Sequence, residues 1–552
     1  IYRCTINSSI RSKKSRMKRL KDPIYGYIDI DDDIIDYIID TATFQRLRTI
    51  IQTSYAPLFA SAVHNRFVHS LGVYHLGKIV AHSFETSAKE TEIISSDLID
   101  NKIKIFEYAC LLHDVGHAPF SHTGEEFYLG PDSSRAELHK TIAELTGDTQ
   151  LENEIRLKNY AAAPHELMSI IVALKSFPEL FKNDEDKSFF ARCISGYLYV
   201  NDLNEQKSFF NCMIEMLNSS VIDVDKLDYL IRDAYITGFD TVSIDYTRLL
   251  RSVKIICVDG KYKLVFTKAA ISVIENVVFA HDAERKWIQN HPVVLYDAYL
   301  LRHALEKLNS QYNVFSFDAL TLKGTKLSNE FYVSLLSDGD ITFLMKNISG
   351  DSFVDEYFSR KDRRHPLWKS EAEYKAIFGL GFSDAIFQRV ENELDSLAKY
   401  VSFANKSPEM NANALKAIEE DIKSTNEMIK PEFADAEHFR NQLHIKQRHL
   451  KWLKCLQDFA IEQNIDFDFL VIKANQFNSG FGKLAFENIE IVFPGLTSLC
   501  NFKKVTNALS AQKSEREKFS YIFYRRKDRT CQVDAKRLAS KLGALAIEEA
   551  FS

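Results

Sequence analysis

A dense cluster of metal-binding and proton-transferring side chains lies over residues 112–122, where the chain reads LHDVGHAPFSH. An apolar helix predicted over 105–112 delivers His113 and Asp114 at its end. Adjacent residues do not share a helix face, but a metal between helices can accept one nitrogen and one oxygen from this pair near a helix end. Imidazole and carboxylate ligands favour a divalent ion, and the lack of cysteine disfavours a structural thiolate site. Mn, Fe, Mg, Ni and Zn all remain candidates.

Two more ligand candidates are far away along the chain. His69 lies in HNRFVHS at 64–70, and Asp225 lies in IDVDKLDY at 222–229. A lone histidine is more often a surface or core residue than a ligand. The ordered set of a histidine, a His-Asp pair and a later aspartate, however, resembles the pattern of the HD phosphohydrolase superfamily. Together the four residues predict one metal site.

The elements that must position this site are mainly helical. From about 31 to 283 apolar residues recur mainly at three-and-four spacing, and after an interruption near 253 the helical pattern resumes from 268 to 309. Asp259-Gly260, between the apolar runs 253–258 and 261–266, predicts a tight β-hairpin. Long helices are predicted at about 411–424 and 436–463, and strands at 467–472 and 519–524. The predicted fold class is therefore mainly α, a helical HD core with a β-hairpin and a small C-terminal α+β lobe.

Length and composition bound the organisation. With 552 residues, 45% hydrophobic residues and only 11 prolines, the chain is long enough for several packed units and is not disordered. We predict a core at 17–309, a helical accessory region at 310–463 and the small lobe at 464–552. Met17 directly precedes a patterned segment, so we expect translation to begin there and treat 1–16 as an upstream segment.

Charge and cysteine usage exclude several classes of protein. The net charge of −6 supplies no global field for nucleic acid or anionic lipid. We interpret the basic stretches at 503–504 and 525–527 as solvated surface rather than as a nucleic-acid site. The eight cysteines show no paired spacing and are expected to be reduced. No apolar run approaches the length of a membrane span, so we expect a cytoplasmic protein without membrane partners.

Five sequence blocks carry a narrower resemblance: DPIYGYI at 22–28, FQRLR at 44–48, HNRFVHSLG at 64–72, the HD segment at 113–122, and DVDKLDYLIRD at 223–233. Together they resemble the HD-domain deoxynucleoside triphosphate (dNTP) triphosphohydrolases, and especially their SAM-and-HD-domain group. We expect no SAM domain ahead of the HD part. The resemblance covers about residues 18–250 and is faint beyond 309. It implies cleavage of a dNTP to a deoxynucleoside and inorganic triphosphate.

The resemblance also assigns roles by position. His122 would protonate the leaving 5′-oxygen, Glu125 would orient its ring, and His117 would line the phosphates. The implied metal ligands are His69, His113, Asp114 and Asp225. The implied substrate contacts, to phosphates and sugar, are Gln52, Arg66, His165, Lys226, Tyr229 and Asp233.

Several of these residues have plainer interpretations that stay open. Glu125 would be a solvated acid, His165 a surface residue near a helix start after Pro164, Lys226 a partner of Asp223, and Tyr229 a core residue.

Regulation is implied by further matched positions. Lys18, Asp40, Gln45 and Arg48 match a guanine-nucleotide activator site between subunits, and Asp245 with Arg248 matches a neighbouring second site. The resemblance therefore implies activation by GTP or a dNTP and a homo-oligomer, whether dimer, tetramer or hexamer. In the alternative interpretation, Arg46 and Arg48 only pair with the acidic run at 31–33.

The chain also departs from the pattern. Thr53-Ser54-Tyr55 replaces a glycine run, and alignment on His291 puts Gln289 where the resemblance expects a tyrosine beside the sugar. Discrimination against ribonucleotides is therefore open. Two other functions remain: an HD phosphatase or phosphodiesterase acting on other nucleotides, and a nucleotide-sensing binding protein. The biological purpose, such as antiviral nucleotide depletion, is not encoded in these motifs.

Overall fold

The protein consists of two compact units in a computed structural model. The first unit comprises residues up to 282, 304–349 and 483–509, and the second comprises 283–303, 350–482 and 510–552. The predicted boundaries at 309 and 463 stay predictions, and the upstream segment 1–16 lies outside the described residues. The described residues are 17–91, 94–129, 135–151, 162–201, 203–219, 222–239, 242–312, 314–328, 331–379, 381–429, 436–475, 489–495, 498–506, 518–528 and 531–549.

The first unit is mainly helical, as the apolar periodicity predicts. Two short π-helices, Ile35–Ile39 and Arg285–Gln289, interrupt the α-helical pattern, the second lying in the segment that begins the second unit. In the described residues, the α-helices that begin in the first unit are Asp32–Ile34, Ala42–Gln45, Arg66–Thr91, Ser96–Leu112, His122–Glu125, Arg135–Thr146, Pro164–Ser176, Asp184–Ser195, Glu205–Leu217, Val224–Thr237, Tyr246–Arg251, Ile271–Glu284, Phe317–Leu320, Asp338–Met345 and Phe502–Val505.

Two long helices form the centre of this unit. The helix Arg66–Thr91 packs against Ser96–Leu112, and Phe84 meets Phe106 edge-on with ring centroids 5.3 Å apart. A Cβ at Gly77 would lie 2.6 Å from the Cys110 sulfur, so glycine allows the helices to approach closely. Both helix termini that carry site residues are fixed by this packing.

The predicted β-hairpin is confirmed. Strands Val253–Val258 and Lys261–Thr267 pair antiparallel, with Asp259 and Gly260 both at positive φ (52° and 73°), as a two-residue primed turn requires. Glu490–Val492 adds a parallel neighbour to the second strand, and Cys500–Asn501 completes this sheet. The remaining strands of this unit form two ribbons: Met17–Asp22 with Gly26–Asp31, and Thr325–Lys326 with Tyr332–Val333.

The second unit has its own hydrophobic core around the buried Trp368, Tyr374 and Trp452. Its sheet joins His365–Pro366, Lys518–Tyr524, Asp468–Asn475 and Met410–Asn411, which confirms the two predicted strands. The helices that begin in this unit are Pro292–Gln311, Ser352–Phe358, Glu371–Gly379, Asp384–Asn405, Ala412–Met428, Ala436–Glu462 and Ala535–Glu548.

Internal ion pairs engage part of the basic sequence of this unit. Arg364 contacts Glu356, Glu409 and Asp468, and Arg525 also contacts Glu356 and Asp468. Arg525 is therefore paired within this unit, which differs from the interpretation of 525–527 as solvated surface, and the lack of a nucleic-acid site there stays a prediction. Among the described helices, none combines the length and hydropathy needed to cross a bilayer. The seven cysteines of the described residues form no disulfide.

Candidate active site

The four predicted metal ligands converge in the first unit. His69 Nε2 lies 3.2 Å from His113 Nε2 and 3.0 Å from Asp225 Oδ1. Asp114 Oδ2 lies 3.6 Å from both imidazole Nε2 atoms. Residues up to 156 positions apart in the chain thus present two nitrogens and two carboxylate oxygens to one point. This donor set is the kind that divalent transition ions prefer.

Helix ends position these ligands. His69 is in the first turn of Arg66–Thr91, and Asp225 is in the first turn of Val224–Thr237, which Asp223 caps by accepting from the Lys226 amide. His113 is the C-cap of Ser96–Leu112, so His113 and Asp114 lie where the helix stops. Since the chain leaves the helix there, the adjacent pair is free to point to the same centre.

The tautomers of both histidines suit metal binding. His113 Nδ1 lies 2.9 Å from the Cys110 carbonyl oxygen, which only an N–H can contact favourably, and His69 Nδ1 lies 2.7 Å from Asp228 Oδ2. With a metal bound, each Nε2 would therefore carry the lone pair that faces the centre. Burial opposes protonation of His69, but its carboxylate partners Asp225 and Asp228 raise its pKa to about 9. A cation would relieve the same excess of negative charge, so the residues present fit a divalent metal.

A second layer of charged residues fixes His69. Although burial raises the pKa of Asp228, the Arg232 guanidinium lowers it to about 2, so this carboxylate is ionised. Arg232 donates to both Asp228 oxygens at 2.9 Å and to Asp22 at 2.9 Å, and the Tyr25 hydroxyl donates to Asp228 at 2.7 Å. Such outer partners orient metal-ligating histidines. The signal was present in the sequence, because Asp225, Asp228 and Arg232 follow helical spacing.

Gly72 leaves room for this layer, and its replacement is expected to damage the metal site. An alanine Cβ would lie 1.8 Å from Asp228 Oδ1 and 2.5 Å from Arg232 Nη2. We expect Gly72→Ala to weaken metal affinity about 10- to 100-fold and to lower the free energy of unfolding by about 1–3 kcal/mol. Calorimetric metal titration and thermal unfolding measure these two effects.

The matched control for this change is Gly339→Ala, because a Cβ there meets nothing closer than 3.5 Å. Metal affinity in Gly72→Ala equal to that of Gly339→Ala would contradict the role assigned to the Asp228 layer.

A second group of side chains adjoins the metal ligands: His117, His122, Glu125 and His165. Glu125 Oε1 lies 3.1 Å from His122 Nδ1, while Glu125 Oε2 contacts His165 Nδ1. Burial by itself would raise the pKa of Glu125 and lower that of His165. The contact between the two groups outweighs burial: it holds the pKa of Glu125 well below its usual range and raises that of His165 to about 9. Glu125 is mostly buried and is not a solvated acid.

His117 connects the two groups. Its Nε2 lies 4.0 Å from Asp114 Oδ1, and its ring stacks on His165 with centroids 4.3 Å apart. Burial, with the nearby Arg66 charge, lowers its pKa well below the usual range, so the ring is neutral. Neither ring nitrogen has a hydrogen-bond partner among the described residues. A buried polar group in this state is suited to contact a ligand.

Close packing delivers these histidines. Gly116 of the HD segment lies against the helix Pro164–Ser176, where a Cβ would come within 2.4 Å of the Met168 and Ser169 backbone. Pro164 is the first residue of this helix, as the sequence predicts, and His165 follows it. Phe120 and Ser121 both have positive φ (57° and 52°) immediately before His122. The turn that presents His122 is therefore strained.

Two predicted phosphate contacts have partners within the protein. The Arg66 guanidinium donates to Asp114 Oδ2 at 2.7 Å, to the Ser121 hydroxyl at 2.9 Å and to the Gln52 carbonyl at 3.2 Å. Lys226 Nζ lies 2.5 Å from Asp223 Oδ2, in agreement with the plainer interpretation of this lysine. Their contacts with a phosphate stay predictions.

The residues predicted to contact the sugar are Asp233 and Gln52, with Gln289 at the position where the resemblance expects a tyrosine. Asp233 Oδ1 lies 2.7 Å from His64 Nε2, and both side chains are buried. Gln52 Oε1 is buried without a hydrogen-bond partner in the described part of the chain. Tyr229, which the resemblance assigns to the triphosphate and not to the sugar, is half-buried. Gln289 belongs to the second unit, where its amide donates to Glu284 at 3.0 Å.

The predicted activator residues form a partly exposed group. Lys18 Nζ lies 3.8 Å from Asp40 Oδ2, with both side chains about half exposed. The Gln45 side chain accepts from Arg48 Nε at 2.7 Å, and the Arg48 guanidinium stacks over the Phe67 ring. The second pair is local: Asp245 caps the helix Tyr246–Arg251 by accepting from the Arg248 amide.

Arg46 does not make the contact with the acidic run that the alternative interpretation proposes. It is buried and donates to the carbonyls of Leu336, Val115 and His117 at 2.8–3.0 Å. Arg46 is therefore a structural residue that supports the HD segment, and the sequence did not identify this role.

Three of the four converging residues, His69, His113 and Asp114, lie in a stretch that matches a known protein family. Residues 66–194 match the family model described as HD domain, so this part of the chain is an HD domain. The chain is 28% identical over 332 residues to the uncharacterized protein YwfO of Bacillus subtilis, covering 58% of this chain and 64% of that protein. The resemblance to dNTP triphosphohydrolases is confirmed by similarity to two proteins that carry this name.

These two relatives are the SAMHD1 homolog of Dictyostelium discoideum and human SAMHD1. The first is 30% identical over 256 residues, covering 45% of this chain and 42% of that protein. The second is 28% identical over 333 residues, covering 58% and 46%. The chain thus spans between 42% and 64% of the length of these three curated relatives.

A solved structure shares the fold. A hypothetical protein of Aquifex aeolicus superposes with a TM-score of 0.52 at 18% sequence identity, covering 96% of this chain and all of that one. A divalent metal is the cofactor of HD domains, and the donor atoms of His69, His113 and Asp225 lie close enough together to hold one.

Proposed function

We propose that this protein is a metal-dependent dNTP triphosphohydrolase that releases a deoxynucleoside and inorganic triphosphate. The observation that carries the proposal is the junction of two groups: His69, His113, Asp114 and Asp225 at the metal centre, and the hydrogen-bonded His122–Glu125–His165 group beside it. Similarity to proteins named dNTP triphosphohydrolases supports the choice of substrate.

The chain's own residues supply proton transfer. When bound, a divalent ion supplies Lewis acidity for a phosphoryl oxygen and activates water. His122 is 66% exposed and is held at Nδ1 by Glu125, so its Nε2 is the nitrogen that exchanges a proton with substrate. Donation from this nitrogen to the 5′-oxygen lets the deoxynucleoside leave as an alcohol rather than an alkoxide. Glu125 fixes the ring throughout.

Binding of the triphosphate needs positive charge and neutral donors. His165 carries a proton at neutral pH because of its contact with Glu125, and it stacks on His117, whose ring nitrogens have no hydrogen-bond partner among the described residues. These two rings line the phosphate path in the proposal, with Arg66 and Lys226 as nearby cations. Electrostatic positioning of this kind supplies most of the catalysis in phosphoryl transfer.

The proposal extends to regulation and assembly. The partly exposed group of Lys18, Asp40, Gln45 and Arg48 combines opposite charges with an amide, which suits the base and phosphates of a guanine nucleotide. Activation by GTP or a dNTP, with assembly into a homo-oligomer, follows from placing such a nucleotide between subunits. Nucleotide depletion as an antiviral defence is one use of such an activity.

Product analysis tests the function. The purified chain is incubated with each dNTP, singly, in pairs and with GTP, in the presence of Mn, Fe, Mg, Ni or Zn, and the products are separated by anion-exchange chromatography. We expect deoxynucleoside and triphosphate in equal amounts, with higher rates when an activator nucleotide is present.

Other outcomes would reject the proposal in distinct ways. A monophosphate with pyrophosphate would indicate a different bond cleavage, and hydrolysis of other phosphoesters alone would favour the HD phosphatase or phosphodiesterase. Nucleotide binding without turnover under any metal would favour a sensing protein. Asp225→Ala serves as the control for contaminating phosphatases.

A further inference from the structure

The carboxylate of Asp338 joins two segments of the candidate active site. Its Oδ1 accepts the Phe120 amide at 2.7 Å, and its Oδ2 accepts the Ile51 amide at 2.8 Å. Phe120 begins the strained turn before His122, and Ile51 precedes Gln52. Asp338 lies 144 residues beyond the end of the HD domain match, in a part of the chain where the resemblance is faint. We propose that Asp338 is a positioning residue that holds the strained turn presenting His122 against the Ile51–Gln52 segment.

The turn needs such support because its backbone is costly. Phe120 and Ser121 are non-glycine residues at positive φ, and Ser121 has ψ of −128°, a sparsely populated combination. Conformations of this kind persist only where the surroundings fix them. The Ser121 hydroxyl contacts the Ile51 carbonyl and accepts from Arg66 Nε at 2.9 Å. Asp338 completes the bridge because its carboxylate accepts hydrogen bonds from the Phe120 amide in the turn and from the Ile51 amide in the neighbouring segment.

Asp338 is itself held in place. It is the first residue of the helix Asp338–Met345, which Ser337 caps, and Asp340 accepts from the Ser337 amide. Just upstream, the Leu336 amide donates to the Ala319 carbonyl, and the Leu336 carbonyl accepts from the buried Arg46. Since Arg46 also binds the His117 carbonyl at 2.8 Å, the same segment supports both His117 and the turn before His122.

A carboxylate at this position has a desolvation cost. Burial raises the pKa of Asp338 to about 6, although the hydrogen bonds from the Ile51 and Phe120 amides act to lower it. A helix N-terminus alone would be served by any exposed acid in the first turn. The cost of this partly buried group is therefore explained by its two acceptor oxygens, which match two amides on different segments.

The test compares Asp338→Ala and Asp338→Asn with Asp97→Asn. The control removes an exposed acid from the first turn of another helix, Ser96–Leu112, and leaves the Ile51 and Phe120 amides and the cap of the Asp338 helix untouched. Residue-resolved hydrogen exchange should show about tenfold faster exchange at these two amides in Asp338→Ala, an intermediate change in Asp338→Asn, and none in the control. Asparagine keeps the shape and one acceptor, so it covers the case in which the alanine variant does not fold.

The catalytic part of the inference rests on the proposed function. We expect kcat for dNTP cleavage to fall about 10- to 100-fold in Asp338→Ala, with KM and bound metal unchanged, because misplacement of a catalytic group by about 1 Å has this effect. If the wild-type chain cleaves no dNTP, the proposed function fails by itself, and the exchange rates still decide whether Asp338 holds the turn. Unchanged exchange at both amides, or a kcat equal to that of Asp97→Asn, would overturn the inference.

Discussion

Replacement of His113 by alanine is expected to abolish metal loading and turnover together. His113 supplies one of two imidazole nitrogens at the centre, and its Nε2 lies 3.2–3.6 Å from the other three ligand atoms. Its loss leaves three donors and exposes the centre to water. Asp225→Ala should have the same effect, since it removes a carboxylate whose charge balances the cation. Metal content by elemental analysis and turnover are measured on the same preparations.

A histidine outside the site provides the control for this experiment. His82 lies on the same helix as His69 but is 84% exposed, so His82→Ala should bind metal and turn over like the wild type. Thermal unfolding identifies variants that have lost their fold rather than their metal. Turnover at the wild-type rate in either His113→Ala or Asp225→Ala would remove the metal assignment.

Replacement of His122 by alanine is expected to separate proton transfer from binding. The His122 ring is largely exposed and contacts no metal ligand atom through a described hydrogen bond, so metal content and substrate affinity should be unchanged. The rate should fall about 10²- to 10⁴-fold, the usual loss for a general acid. A substrate whose leaving group needs no proton, such as an aryl triphosphate, should lose much less.

Two further measurements sharpen this prediction. Because the site of His122 is open to solvent, added imidazole should restore part of the rate of His122→Ala on dNTPs. His82→Ala serves again as the matched control and should respond to neither imidazole nor the leaving group. Equal losses on both substrates, with no response to imidazole, would contradict the general-acid role and point to a structural one.

The parts of the fold that depend on local sequence were predictable. Asp259-Gly260 specifies a two-residue turn because both positions tolerate positive φ, and the hairpin is present. The helix predicted at 436–463 is Ala436–Glu462, and the strand predicted at 519–524 is Lys518–Tyr524. Apolar periodicity and turn chemistry act over a few residues, so one sequence window contains the whole signal.

Short elements and distant pairings were not predictable. Met410–Asn411 and His365–Pro366 are two-residue strands that exist only because longer strands lie beside them. The helix predicted at 411–424 continues to Met428. Two residues carry no periodicity, so no local pattern could indicate these strands.

The sequence by itself determined the chemistry of the site: which imidazoles and carboxylates occur, and that a helix end carries His113 and Asp114. Only the tertiary structure decided what surrounds them. Tyr25 reaches Asp228 across 203 positions, and Asp338 reaches Phe120 across 218. The type and spacing of ligands are local properties, whereas the partners that orient a ring or hold a strained turn are chosen by packing between distant segments.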